Sequence, residues 1–215
     1  MTGPDIVNGV AGLLIITSIL VIQARQPIHA ALLYALQSLV LVLVFIALAS
    51  VTHTGQLYLW AFTAFVSKVV LTPAILYRTV RRFAIPALPS SLGPAGIVIM
   101  AALIVAVCGF VVTPIRLPGA EEFRPAFAVS LAHFFMGLAC IISQQNILKQ
   151  IFGYCLMENG SHLTLALMAN AAPELVEIGI ATDAIFAVVI MSVIATRIQS
   201  ALHSFDSREL TALRG

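Results

Sequence analysis

The chain has 215 residues, 60% of them hydrophobic and only 9% charged, with a mean hydropathy of +1.05. Soluble globular domains carry about 25% charged residues, so the composition excludes a mainly water-facing surface and makes lipid the principal solvent. A net charge of +2, with no basic cluster beyond residues 77–82 (YRTVRR), gives no footing for nucleic acid.

The N-terminus, MTGPD, lacks the positive segment of a signal peptide, and no small-x-small cleavage site follows the first apolar run. That run, about residues 6–22, is expected to be a retained first helix. Six more runs approach the roughly 20 apolar residues that a spanning helix needs: about 28–50, 57–77, 95–113, 125–142, 147–169 and 175–197. Between them fall ordinary breakers, among them RQP, HTGQ, PIRLPGAEEFRP and SQQN. The expectation is an all-α integral membrane protein of seven transmembrane helices. Residues 1–127 hold four of them, residues 128–198 hold three, and residues 199–215 form a short polar cytoplasmic tail.

Basic residues give the orientation, because Lys and Arg collect in cytoplasmic segments. With the N-terminus outside, eight lie inside: Arg25, Arg78, Arg81, Arg82, Lys149, Arg197, Arg208 and Arg214. Only Arg116 and Arg124 lie outside. The bias predicts N-out and C-in. It also argues against a re-entrant hairpin at Asn159-Gly160, which would level the count at five against five. Helices one to three and five to seven share a loop-charge pattern, which suggests a parallel 3+1+3 pseudo-repeat.

Lys68, Glu158 and Asp183 sit near the centres of three apolar helices. A charge at the bilayer centre costs about 2.5–3.5 kcal/mol on insertion scales. Three such residues at one depth are expected to face one another and trapped water, as a lateral proton path requires. Tyr154, Glu158 and His162 share one helix face at i, i+4, i+8 spacing, and His133 lies near the middle of its own helix. The candidate proton path is therefore Glu158, Asp183, Lys68, His162, His133 and Tyr154. The alternative for each is an interhelical hydrogen bond or ion pair. Trp60, the single Trp, reads as an interfacial anchor at the outer end of the third helix.

No phosphate loop, HExxH or nucleophile elbow is present. Cys108, Cys140 and Cys155 are far apart, without metal-ligand spacing. The chain is expected to catalyse nothing alone, to hold no cofactor and to serve a larger membrane machine.

Two stretches, QQNILKQIFGYCLMENGSHLTLAL (144–167) and APELVEIGIATDAIFAVVIM (172–191), closely resemble the hydrogenase-4 family of membrane components of type E. GPDIVNGVAGLLIITS near the start and LTALRG at the end extend the likeness over the chain. The resemblance implies the membrane arm of a nickel–iron (Ni-Fe) hydrogenase complex, similar to formate hydrogenlyase and related to respiratory complex I. It implies antiporter-like and hydrogenase-anchoring membrane partners, and a peripheral arm that carries the Ni-Fe centre and the iron–sulfur clusters. It also implies the bacterial cytoplasmic (inner) membrane and coupling of redox chemistry to proton translocation.

Residues 128–198 more distantly resemble the K subunit of complex I and the C subunit of Mrp-type antiporters. There Gln145-Asn146, Glu158 and Asp183 take the places of an Arg-Asn pair, a central glutamate and a second acid. Gln145 replaces the Arg, Asp183 replaces a Glu, and the asparagine follows Glu158 directly. A subunit of a multisubunit cation/proton antiporter, or a structural spacer between antiporter-like subunits, are the alternatives.

Overall fold

The computed structural model describes residues 2–82, 92–115, 121–168, 174–202 and 206, with backbone alone for 82, 174–181, 183–184 and 201–202. Among these residues seven helices run in chain order. They are α1 (Gly3–Gln23), α2 (Pro27–Thr52), α3 (Gly55–Ala64, continued through Phe65–Leu71 and Thr72–Arg82), α4 (Pro94–Val112), α5 (Arg124–Ser143), α6 (Ile147–Met168) and α7 (Glu174–Leu202). Each lies where an apolar run was expected. The last helix runs on to Leu202, so Gln199 and Ser200, read as the start of a polar tail, are helical.

Proline opens four of these helices within their first two positions: Pro4, Pro27, Pro94 and Pro125. The missing N–H costs nothing there, and the fixed φ suits a helix start. Asp5 adds a carboxylate that accepts from the Thr2 backbone N–H at 2.8 Å. At the start of α6 the Asn146 carboxamide oxygen accepts from Leu148 N–H at 2.8 Å, an N-cap in a three-residue connection. α2 stops at His53, which takes the left-handed conformation (φ 53°) that breaks the helical ladder.

Among the described residues, five helices are long and apolar enough to cross a membrane: α1, α2, α3, α4 and the stretch Glu121–Ser143 that contains α5. α6 has 22 residues, enough for about 33 Å at 1.5 Å per residue, but its polar middle lowers its hydropathy. The surface matches a lipid solvent. Phe62 is 65% exposed, Phe110 81% and Ile142 77%, and apolar exposure on this scale would make a water-facing protein aggregate.

Lipid tails are as apolar as leucine, so helix pairing here depends on close packing and hydrogen bonds. Glycine supplies the closeness between α5 and α6. A methyl at Gly137 would lie 2.3 Å from the Met157 nitrogen, and one at Gly160 would lie 2.5 Å from the Phe134 nitrogen. No side chain fits either place without moving backbone.

The interior divides into two apolar clusters. One includes Leu14, Leu41, Ala64, Phe127 and Leu163. The other includes Val21, Tyr34, Leu76, Met136 and Phe152. In five helices the residues between them are polar and buried: Ser18, Gln37 and Ser38, Ser67 and Lys68, Ser130 and His133, and Asn159. A polar band thus crosses the middle of the bundle. Trp60 departs from expectation. It is 3% exposed and stands edge-on to Phe45, with ring centroids 6.5 Å apart, inside the first cluster. An aromatic partner on α2 draws it into the core instead of leaving it at the bilayer surface.

Candidate functional site: a buried ion pair in a polar band

Lys68 reaches the band because α3 is not regular. Residues Phe65–Leu71 form a π-helical segment, and Thr72 N–H donates to the Ser67 carbonyl five residues back. Pro73 follows directly and has no N–H to continue an i→i−4 ladder. The wider turn shifts the helix register, and Ser67 and Lys68 both face inward while Phe65 and Val66 face out.

The Lys68 ammonium pairs with the Glu158 carboxylate of α6 and donates to Asn159 Oδ1 at 2.8 Å. The two acceptors are sequence neighbours, and adjacent helical residues point about 100° apart. Asn159 therefore faces into the bundle, fully buried, while the Glu158 side chain keeps 13% exposure against 1% for Lys68. The carboxylate is a bridge between the buried cation and the flank of the subunit. His162, one turn on, places Nδ1 3.6 Å from Glu158 Oε1, too far for a hydrogen bond but close enough to feel the charge.

From Asn159 the contacts continue inward. Its amide nitrogen donates to Gln37 Oε1 at 2.8 Å and approaches Ser38 Oγ at 3.4 Å. Gln37 Nε2 lies 3.0 Å from His133 Nε2, and His133 Nδ1 lies 2.7 Å from Ser18 Oγ. One connected network therefore joins α1, α2, α3, α5 and α6.

Of the expected path residues, the fold gathers Lys68, Glu158, His162 and His133. Tyr154 is half-buried against the second apolar cluster. Asp183 falls on α7, with its side chain outside the described residues, as are those of Glu174 and Glu177. Sequence reasoning missed Ser18, Gln37, Ser38 and Tyr34. The signal was there, since Tyr34, Gln37 and Ser38 make an i, i+3, i+4 polar face in an otherwise apolar stretch of α2. The Tyr34 hydroxyl lies fully buried beside Ser38 and Asn159, in neither case with well-formed hydrogen-bond geometry, and His162 Nδ1 is buried and unbonded. Buried polar atoms in such positions are where ordered water belongs.

Lys149, counted above among the inside basic residues, is buried, and its ammonium donates to the Ile22 carbonyl at 3.0 Å. It caps the C-terminal end of α1, where free carbonyls carry negative partial charge. The cysteines are free and buried, and no three His, Cys, Asp or Glu side chains converge on a point among the described residues.

The network can hold a charge pair away from water and expose one member at the flank. Comparisons with known proteins add the family. Residues 125–215 match the family described as NADH-ubiquinone/plastoquinone oxidoreductase chain 4L. Over 217 aligned residues the chain is 52% identical to hydrogenase-4 component E of Escherichia coli K12, covering 100% of both chains. The same figures hold for hydrogenase-4 component E of Shigella flexneri. An uncharacterized protein of Mycobacterium tuberculosis is 29% identical over 89 residues, 41% of this chain and 39% of that one. No solved structure matches. End-to-end identity above one half leaves one assignment: the chain belongs to the hydrogenase-4 component E family.

Proposed function

We propose that this chain is a membrane-arm subunit of a nickel–iron hydrogenase complex, and that its polar band forms part of a lateral proton path. The observation that carries the proposal is the Lys68–Glu158 pair, set in the buried band with Lys68 almost wholly enclosed and the Glu158 side chain 13% exposed. Family membership supports the setting, since the relatives are named as hydrogenase-4 components and the C-terminal part matches a complex I family.

In this reading seven helices cross the bacterial inner membrane, N-out and C-in, and the 3+1+3 pseudo-repeat relates the first and last three. The redox centres, nickel–iron and iron–sulfur, belong to partner subunits. Glu158 is the residue that gains and loses a proton. Lys68 holds its charge, and His162 with bridging water serves as the next station along α6. Ser161, exposed one turn from Glu158, continues a polar stripe toward a membrane partner. Asp183 and Tyr154 are further stations. Stations of this kind give a path without any redox chemistry in the chain itself.

The test is a complex purified through a tag on this chain. Nickel should co-purify in stoichiometric amount, and a nickel-free partner set would instead favour the cation/proton antiporter reading. In the Glu158→Gln complex, assembly and hydrogenase activity with an artificial acceptor should persist, because Gln still offers Lys68 an acceptor oxygen. Proton movement into vesicles should fall several-fold. Unchanged proton movement would leave only the spacer role.

A further inference from the structure

The hydrogen bonds leading inward from Lys68 have a direction, and Lys68 fixes it. An ammonium has donors only, so Asn159 must turn its oxygen to Lys68, 2.8 Å away. The Asn159 nitrogen is then committed to Gln37 Oε1 at 2.8 Å. That contact turns the Gln37 nitrogen, again a pure donor, toward His133 Nε2 at 3.0 Å. Nε2 must carry a lone pair. The imidazolium is excluded, and the ring proton sits on Nδ1. At Nδ1 the partner is Ser18 Oγ, 2.7 Å away, whose own proton goes to the Leu14 carbonyl at 2.6 Å. Every link from α3 through α6, α2 and α5 to α1 agrees on one sense, and every side chain that makes them is buried.

We infer that His133, acting through Gln37 and Asn159, is a positioning residue for Lys68, held as the neutral Nδ1–H tautomer. A carboxamide neither takes up nor gives away a proton readily, and two of them separate His133 from Lys68. A proton on the Lys68–Glu158 pair therefore has no exit along this arm. Traffic is turned away from His133 toward Glu158, His162 and the stations beyond them, and the Asn159 oxygen, oriented by Gln37, keeps the ammonium fixed beside the carboxylate. This inference rests on the proton-path reading for its purpose, but its geometry is independent of it.

The test is nitrogen-15 NMR of the histidine-labelled full chain in lipid bilayers. The chain has 5 histidines, and His133→Asn identifies the relevant signals. The expected spectrum has a protonated, pyrrole-type Nδ1 and an unprotonated, pyridine-type Nε2. Gln37→Glu replaces the donor facing Nε2 with an acceptor and should convert Nε2 to the protonated type. Lys68→Met removes the fixed end and should mix the two tautomers. An imidazolium or an Nε2–H ring in the wild-type chain overturns the inference, as does a spectrum that neither variant moves. The proton-path reading fails separately, through unchanged proton movement in Glu158→Gln, so the two failures are distinguishable.

Discussion

At the scale of single residues, the cost of burying charge explains why Lys68 and Glu158 belong together. Removing one partner of a buried pair strands the other, at about 3–5 kcal/mol. Lys68→Met should therefore lower the thermal stability of the complex, and Lys68→Met/Glu158→Leu should recover most of the loss; a double variant no more stable than the single would mean that the two charges do not see each other. The same cost made this pair legible in the sequence, because a charge in an apolar helix needs a partner. Gln37 was legible only as part of a polar face on α2, and the joining of Gln37, Ser18 and Asn159 was not legible at all, since amides and hydroxyls cost less and serve equally as helix glue. Only their distances show that they form one arm. Trp60 was misread for a related reason, as a lone Trp near a helix end fits either a lipid interface or a core, and only Phe45 across the helix pair decides.

At the scale of elements, helix positions could be read directly from apolar length and proline punctuation. Two features could not. The π segment of α3 depends on local backbone register, and nothing in FVSKVVL alone sets it apart from an α-helix. Pro73 is a hint that became readable only beside the geometry. The α5–α6 contact depends on where Gly137 meets Gly153 and where Gly160 meets Phe134. Gly137→Ala should cost about 1–3 kcal/mol, the usual penalty of overpacking, whereas Gly12→Ala, with open space around it, should stay within about 0.5 kcal/mol. Thermal melts of the two variants in one detergent make the comparison. Equal effects would mean that α5 and α6 do not approach as described.

At the scale of the whole molecule, two apolar clusters with a polar layer between them describe a protein built to keep charges at mid-depth. The lipid-facing exterior follows from composition, and the proposed topology rests on the distribution of Lys and Arg. A reporter fused after Gly215 should be active in the cytoplasm, and a periplasmic signal would contradict seven crossings with the N-terminus outside. The layer has a purpose only if its carboxylate changes protonation while the complex works. Infrared difference spectroscopy of the intact complex, recorded between resting and hydrogenase-turnover states, measures that change directly. A carboxyl signal present in wild type and missing in Glu158→Gln is the predicted result. Identical difference spectra from the two complexes would contradict it.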